Sequence, residues 1–492
     1  MSHAPGNELE LTSRNRGRGR LFYALLLILG GASFLIVRSV GERNAAGYVP
    51  RMTVARQFAP PGGLPVDVEL HVLVTLVAVI GLGHLLARLF RHIGQPPVVG
   101  EVVAGICLGP SVLGALSLPL MHLLIPFRDA DPHGTVSSAL KMIGELGVLL
   151  YMFVVGLDLN LAKLKSRAGA AVAISHASII IPFVLGMILS LWLHPLYAPT
   201  GVSFTGFSLF LGVSMSITAF PVLARILTDR NLESTPLGMM AMACAAADDA
   251  TAWCLLAVVV GIVQTQAGGA VLVCAGALAF VATMFLVVRP LLTAWCWRID
   301  NRVGPLSSSV LAVGCIGALV CALITKTIGI HAIFGAFLLG AVLPSDSQVA
   351  KFLKSHLRDA VTVLLLPAYF AYTGMRTQVG LVSGTQQWIV LAVILAVATI
   401  GKFGGTVVAA RWAGIQWRDS AALGVLMNTR GLMELIVLNI GLDLGVISPE
   451  LFAMMVLMAL ATTISTSPIL ARLMPESMKS KPAARVSPQP VA

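Results

Sequence analysis

Charged residues are scarce in this sequence: Asp, Glu, Lys and Arg make up only 11% of its 492 residues, while 57% are hydrophobic. Soluble proteins carry about 25% charged residues, so this composition excludes an ordinary soluble fold and predicts an integral membrane protein. The chain also lacks any Cys-x-x-Cys spacing, and its seven cysteines all lie in apolar stretches. This pattern indicates small buried hydrophobic residues and excludes a disulfide framework or a cysteine metal site.

The apolar runs predict an all-α membrane protein with about fourteen transmembrane helices of roughly 17–25 residues each. The predicted spans are 21–38, 69–90, 97–116, 138–159, 168–193, 204–227, 236–262, 268–290, 306–325, 330–345, 361–380, 387–411, 420–441 and 450–471. Lys and Arg punctuate these runs instead of forming one patch, so the net charge of +11 does not indicate a nucleic-acid partner.

The basic residues also predict the orientation in the membrane. They concentrate in alternate loops and in both tails, which the positive-inside rule places on the cytoplasmic side of a cell's plasma (inner) membrane. The resulting division of the chain is a basic tail at 1–20, an extra helix at 21–38, an external linker at 39–68, a transport domain at 69–472 and a short cytoplasmic tail at 473–492. A cleaved signal peptide is the alternative for 21–38, but no clear cleavage site follows it, so an uncleaved helix is favoured.

Two adjacent acids, Asp248 and Asp249, lie inside an apolar run with no other charged residue between Glu233 and Arg289. One carboxylate at bilayer depth costs about 2.5–3.5 kcal/mol, so an intramembrane acid predicts an ion or proton site. The alternative is a helix end in a loop, which the long apolar flanks on both sides disfavour.

The span before this pair contains a predicted break in the helix. Pro221 removes a helical hydrogen bond and frees carbonyls around Ile217 and Thr218. Ser216 and Thr218 add hydroxyl groups beside them. Because irregular backbone at membrane depth is tolerated where it lines a cavity, we expect both hydroxyls to contribute to the ion site.

A second break is predicted at Asn428, Thr429, Arg430 and Gly431, which interrupt another apolar span together with Glu434. Arg430 and Glu434 are four residues apart and could instead form a purely structural pair. The two interrupted spans are the sixth and the thirteenth of the series, an odd offset, which predicts inverted repeats with crossed, broken helices.

Lys402 lies well inside its span, about eight residues from the cytoplasmic end and too far for its side chain to reach the surface easily. One of the two aspartates is its expected partner. Adjacent helical residues point about 100° apart, so one carboxylate can pair with Lys402 while the other faces a cavity. Weaker candidates, for which structural roles compete, are Glu101, Glu145, Asp158, Lys326 and His331.

These residues resemble the monovalent cation:proton antiporter-2 family, which includes bacterial sodium or potassium/proton antiporters and is related to plant cation/proton exchangers. The resemblance covers most of 69–472 and rests on QPPVVGEVVAGICLGPS at 95–111, TAFPVLARIL at 218–227, the aspartate pair, GIHAIFGAF at 329–337 and MNTRGLMELIVLNIG at 427–441.

The resemblance implies a thirteen-helix antiporter fold, here with one extra helix in front. It implies that Asp249 binds a monovalent cation and a proton alternately, that Asp248 is the partner of Lys402 and that Thr218 neighbours the site. The plant branch usually has Asn before the site aspartate and a long soluble tail. This chain shows neither feature, so cation choice and stoichiometry are not carried over from that branch.

The expected function is therefore secondary active exchange of Na⁺ or K⁺ for protons, with no cofactor and no enzymatic activity. The expected partners are these ions, the lipid bilayer and a second copy of the chain in a homodimer. A cation channel, a transporter of another small solute coupled to protons and an intramembrane aspartyl protease are the alternatives. A single acid pair on one helix fits a channel ring or a two-helix protease site poorly. The acid pair favours electrogenic exchange, with two protons moving against one cation, over electroneutral exchange.

Overall fold

The computed structural model describes residues 13–45, 67–126, 134–158, 168–230, 232–233, 235–264, 267–301 and 306–474, and every regular element within them is helical. The helices that precede the aspartate pair are α1 (Ser13–Ala45), α2 (Val68–His92), α3 (Pro97–Leu108), α4 (Leu113–Leu116), α5 (Leu118–Leu124), α6 (Thr135–Asp158), α7 (Ala168–Tyr197), α8 (Phe204–Ser216) and α9 (Phe220–Asp229).

The remaining helices are α10 (Pro236–Gln264), which carries the pair, α11 (Ala267–Thr283), α12 (Arg289–Asp300), α13 (Ser308–Ile328), α14 (Ala332–Val342), α15 (Gln348–Ala360), α16 (Leu366–Arg376), α17 (Thr385–Thr399), α18 (Gly405–Trp412), α19 (Trp417–Met427), α20 (Leu432–Asp443) and α21 (Pro449–Leu473). Short π-helical turns join α11 to α12, α15 to α16 and α17 to α18.

Eleven helical stretches in the described residues are long and apolar enough to cross a membrane, and the bent pair α19–α20 raises the number to twelve. The predicted count of fourteen is not confirmed, because 330–345 and 361–380 have no matching span. Helix α14 has 11 residues, about 16 Å, whereas the hydrocarbon core is about 30 Å thick. In the other segment α16 continues without a break from α15 through a π-helical turn, and Lys351, Lys354, Arg358 and Asp359 make the first part of this helical run polar.

The helices pack as two neighbouring groups. The first group, here called the core bundle, contains α7, α8–α9, α10, α17–α18, α19–α20 and α21. The second group, here called the scaffold bundle, contains α2, α3, α6, α13, α14 and α16. Each half of the chain therefore supplies three elements to the core bundle, and the middle one of each three is a broken helix.

Glycines allow the scaffold helices α6 and α14 to approach closely. A Cβ atom at Gly156 would lie 2.3 Å from the Phe337 carbonyl oxygen, and one at Gly340 would lie 2.2 Å from the Phe153 carbonyl oxygen. Small residues are common at helix contacts in membranes. Lipid tails are as apolar as the helix surfaces, so helices associate there through close packing and not through the hydrophobic effect.

Helix α1 is longer than the predicted extra helix at 21–38. It begins at Ser13 and continues to Ala45, so part of the predicted 1–20 tail and of the 39–68 linker is helical. The helix can continue past the apolar run because no proline occurs between Ser13 and Pro50. It packs against α7 and α8, where Glu42 Oε1 accepts a hydrogen bond from Thr205 N at 3.3 Å. The rest of the predicted linker, at 46–66, and residues 475–492 of the predicted tail lie outside the described residues.

Candidate functional site

Two elements of the core bundle are interrupted in the interior of the protein. Helix α8 ends at Ser216 and α9 begins at Phe220, with extended backbone between them. Helix α19 ends at Met427 and α20 begins at Leu432, with a bend of 42° between the two segments. Each interruption leaves backbone amides and carbonyls without helical partners.

The two breaks contact each other directly. The Ala219 amide donates a hydrogen bond to the Thr429 carbonyl over 3.1 Å. Thr218 Oγ1, in the first break, also lies 3.1 Å from the carbonyl oxygen of Met427, at the start of the second break. The broken helices therefore cross at their breaks, and each break satisfies part of the other's backbone.

Pro221 and Gly431 account for the local geometry of this crossing. Pro221 is the second residue of α9, and a backbone N–H at that position would have no acceptor within the helix, so proline costs no helical hydrogen bond there. A Cβ atom at Gly431 would lie 2.7 Å from Val222 Cγ2, so glycine lets the second break approach α9.

Two cations hold the carboxyl end of α8. Arg430 donates from Nη1 to the Ser214 carbonyl at 2.9 Å and from Nη2 to the Met215 carbonyl at 2.8 Å. Lys402 Nζ donates to the Ser216 carbonyl. Helix carboxyl ends carry partial negative charge, so these cations stabilise a helix end that lies in the protein interior.

Asp248 is surrounded by hydrogen-bond donors and is fully buried. Its Oδ1 accepts from Ser175 Oγ at 2.6 Å, and its Oδ2 accepts from Thr218 Oγ1 at 2.6 Å. Ser178 Oγ lies 3.0 Å from Oδ2, and Lys402 Nζ lies 3.1 Å from the same oxygen. A carboxylate has about four lone-pair positions, so these donors occupy its accepting capacity.

Asp249 has a different environment, although it is the next residue in α10. It is also fully buried, but neither of its carboxyl oxygens has a hydrogen-bond partner among the described residues. The Phe220 amide, at the start of α9, lies near this carboxyl group but outside hydrogen-bonding geometry. One turn further along α10, Trp253 Nε1 is also buried and has no hydrogen-bond partner in the part of the chain that the structure describes.

Lys402 lies in the π-helical turn Ile400–Gly404 between α17 and α18. Such turns occur frequently at functional sites because they rearrange the side chains of one helical turn. The ammonium group contacts Asp248 and also donates to the Ser178 carbonyl at 3.2 Å. Of the two aspartates, the structure therefore brings Asp248 to Lys402.

The hydroxyl groups predicted for the ion site do not all face it. Thr218 bonds to Asp248 and not to Asp249. The expectation for Ser216 needs a correction, because its hydroxyl donates to the Gly212 carbonyl at 2.6 Å and only its own carbonyl faces the site. A serine inside a helix commonly bonds to the carbonyl four residues earlier, which turns the hydroxyl away.

The second break holds an ion pair of its own. Arg430 Nη1 lies 2.9 Å from Glu434 Oε2, and both side chains are fully buried, while Glu434 Oε1 has no partner among the described residues. Thr429 Oγ1 donates to the Leu426 carbonyl, and Asn428 Oδ1 has no described partner. The structural pairing considered for Arg430 and Glu434 therefore occurs, alongside the contacts of Arg430 to α8.

Sequence reasoning missed three hydroxyl residues at this centre. Ser175 and Ser178 of α7 contact Asp248, and their spacing of three places them on one helix face, which was the available signal. Thr463 of α21 accepts from the Arg430 amide at 3.1 Å and donates to the Arg430 carbonyl at 2.7 Å. No sequence pattern singles out Thr463 among the polar residues of its helix.

The weaker candidates lie away from the crossing. Asp158 pairs with Lys354 and Arg358 at the end of α6. Glu145 lies 3.8 Å from Lys141, in a cavity also lined by His331. Glu101 is half-buried in α3, and Lys326 lies in the last turn of α13.

Comparison with known proteins finds one family model, the transmembrane sodium/hydrogen exchanger, which matches residues 74–472. The Na⁺/H⁺ antiporter NhaS4 of Synechocystis is 42% identical over 408 residues, which cover 82% of this chain and 98% of that protein. Cation/H⁺ antiporter 18 of Arabidopsis thaliana is 37% identical over 423 residues, 85% of this chain and 51% of that protein.

The K⁺/H⁺ antiporter 1 of Saccharomyces cerevisiae is 31% identical over 400 residues, 79% of this chain and 45% of that protein. The chain thus spans about half the length of these plant and yeast relatives but nearly all of NhaS4. Among solved structures, the sodium proton antiporter MjNhaP1 of Methanocaldococcus jannaschii has a similar fold, with a TM-score of 0.61 and 12% identity over 84% of this chain and 100% of that one.

Proposed function

The chain belongs to the sodium/hydrogen exchanger family, and from that premise we propose that it is a secondary transporter that exchanges a monovalent cation, Na⁺ or K⁺, for protons. The relatives named above include both a Na⁺/H⁺ and a K⁺/H⁺ antiporter, so the proposal includes both cations.

The difference between the two adjacent aspartates is the observation that carries this proposal. Asp248 has its oxygens occupied by Ser175, Ser178, Thr218 and Lys402, whereas both oxygens of Asp249 lack a described partner. A buried carboxyl group without partners is costly unless it serves a ligand. We therefore propose Asp249 as the group that binds the transported ion.

Competition for one carboxyl group accounts for the exchange. Asp249 can bind a proton or a partly dehydrated cation, but it cannot hold both, so each ion must leave before the other binds. Uncoiled backbone at the crossing offers carbonyl oxygens as further cation ligands, as in other transporters with broken helices. Two ion pairs lie around the site, Asp248–Lys402 and Arg430–Glu434, and within each pair the opposite charges balance.

Alternating access requires movement of this centre relative to the rest of the protein. Asp249, both breaks and Lys402 all belong to the core bundle, and the scaffold bundle lies beside it. We propose that the core bundle moves past the scaffold bundle and exposes Asp249 to one side of the membrane at a time. A ligand can bias such a motion only through contacts that differ between the two states.

The cellular placement is also a proposal. The apolar helices support a multi-pass membrane protein. The distribution of Lys and Arg supports cytoplasmic termini, and we propose the plasma (inner) membrane as the location. A homodimer is the proposed assembly, and its mass in detergent, measured by light scattering corrected for bound detergent, tests it.

The test of function is cation-driven proton movement in proteoliposomes containing a pH-sensitive dye. Adding Na⁺ or K⁺, but not choline, is expected to collapse an imposed pH gradient. Asp249→Asn is expected to abolish this response, because the amide side chain neither releases a proton nor carries the negative charge that binds the cation. Asp229→Asn is a matched control, since Asp229 is exposed and pairs with Arg225 on the surface.

Near-wild-type exchange by a folded Asp249→Asn protein would overturn the assignment of Asp249. Proton movement that is identical with Na⁺, K⁺ and choline would overturn cation exchange itself. A monodisperse elution profile and an unchanged melting temperature in detergent show that each variant is folded.

A further inference from the structure

Asp443, the last residue of α20, is held from two sides by the scaffold bundle. Its Oδ2 lies 2.8 Å from Lys141 Nζ on α6, and its Oδ1 lies 2.8 Å from Arg376 Nη2 on α16. Both carboxyl oxygens therefore bond to the scaffold bundle, while the residue itself belongs to the core bundle.

Asn439, one turn earlier in α20, extends this connection. Its Oδ1 accepts from Arg376 Nη1 at 3.0 Å, and its Nδ2 donates to Thr373 Oγ1 at 2.8 Å. Arg376 thus bridges Asn439 and Asp443, so the same face of α20 is tied to α16 over a full turn.

These contacts border a small cavity that is partly open to solvent. Ile436 lines it from the same face of α20, nearer the second break. The polar side chains that line it are Lys141, Glu145, His331, Tyr369, Tyr372, Arg376, Asn439 and Asp443. The positive-inside rule places the loop after Asp443 outside the cell, because the basic loops lie on the other side.

Helix α20 connects this cavity to the crossing. It begins at Leu432, next to the second break, and its 12 residues extend about 18 Å to Asp443. A route from outside to Asp249 that follows the seam between the two bundles would therefore begin at this cavity.

The strength of these contacts suits a reversible closure. Lys141, Arg376 and Asp443 are 35%, 23% and 29% exposed, so each ion pair contributes little by itself, about 0–1 kcal/mol. Several such bonds together bias an equilibrium between two arrangements without making either one permanent.

We propose that this cavity is the external cation entrance and that the Lys141–Asp443–Arg376 contacts, with Asn439, hold it closed in the arrangement described here. This inference rests on the proposed exchange function, since it assumes that the core bundle moves. Glu145 and Asp443 would attract cations at the open entrance, and Lys141 and Arg376 would release Asp443 when α20 moves.

Accessibility of a cysteine at Ile436 tests the closure without measuring transport. Ile436→Cys is placed in a chain whose native cysteines are replaced, and intact cells are treated with a membrane-impermeant maleimide. Ile436 is 1% exposed in the closed arrangement, so slow labelling is expected. Adding Asp443→Asn removes both ion pairs and is expected to raise the labelling rate roughly five- to thirtyfold, since each exposed ion pair contributes up to about 1 kcal/mol.

Lys141→Met is the second variant and is expected to raise labelling in the same way if Asp443→Asn is too unstable to purify. Asp229→Asn is the control, because it removes a surface ion pair that does not join the two bundles. Equal labelling rates in the parent, Asp443→Asn and Lys141→Met proteins would overturn the closure. Because labelling needs no substrate gradient, such a result leaves the exchange assay as a separate test of function.

Discussion

The Lys402 ammonium lies 3.1 Å from Asp248 Oδ2 at the centre of the core bundle, and neither side chain is exposed to solvent. This ion pair joins the π-helical turn after α17 to the helix that carries both aspartates. The neighbouring Asp249, by contrast, has no hydrogen-bond partner among the described residues.

Asp248 and Lys402 are expected to be strongly coupled in stability. Asp248→Asn or Lys402→Met alone leaves one uncompensated buried charge and should cost about 3–5 kcal/mol, whereas the double variant should be milder. A double-mutant cycle on thermal unfolding in detergent measures this coupling. Additive single effects, with a coupling energy near zero, would contradict the pairing.

The Thr218 hydroxyl is expected to stabilise the crossing through Asp248. Thr218→Val keeps the shape of the side chain but removes a donor to Asp248 Oδ2, which should cost about 1–3 kcal/mol. Thr283→Val is the control, because Thr283 is exposed and bonds only to its own helix. Equal melting temperatures for the two variants would show that this hydrogen bond contributes nothing.

Exchange is expected to be electrogenic, with two protons moving against one cation. Since Asp248 accepts bonds from several donors, Lys402 is the group that we expect to release the second proton. One net charge then crosses per cycle, worth about 2.3 kcal/mol per 100 mV. Imposing a valinomycin-mediated K⁺ diffusion potential on Na⁺-loaded proteoliposomes should therefore change the exchange rate.

The double variant Asp248→Asn/Lys402→Met is the control for electrogenicity. It retains Asp249 as the single exchanging group, so any remaining exchange should not respond to the potential. If the potential leaves the wild-type rate unchanged as well, exchange is electroneutral and Asp249 alone accounts for the proton.

A methyl group added at the contact between α6 and α14 is expected to destabilise the protein, because the two helices pack closely there. Gly156→Ala places a Cβ atom 2.3 Å from the Phe337 carbonyl oxygen. The backbone must move to relieve this clash, which should lower the stability by about 1–3 kcal/mol. Gly81→Ala is the control, because no heavy atom lies within 4 Å of its added Cβ. Thermal stability in detergent should fall only for Gly156→Ala, and equal stability of both would refute this account.

The amino-acid sequence was sufficient to predict an all-helical membrane protein, a buried acid pair and two helix breaks. These predictions depend on local physics: apolar run length, the cost of a carboxylate in lipid and the missing N–H of Pro221. Membership of the exchanger family is confirmed by the match over residues 74–472. The predicted count of fourteen spans is not confirmed, because an apolar stretch such as 330–345 does not reveal that its helix has only 11 residues.

Only the tertiary structure decided which groups surround each aspartate. Periodicity shows that Asp248 and Asp249 point in different directions, but it does not show which helix each one faces. The contacts of Ser175 and Ser178 with Asp248 depend on how α7 packs against α10, 70 or more residues away in the chain. The orientation of the Ser216 hydroxyl depends on competition between its own helix and the site. Contacts of this kind form between distant segments, so a single sequence does not specify them.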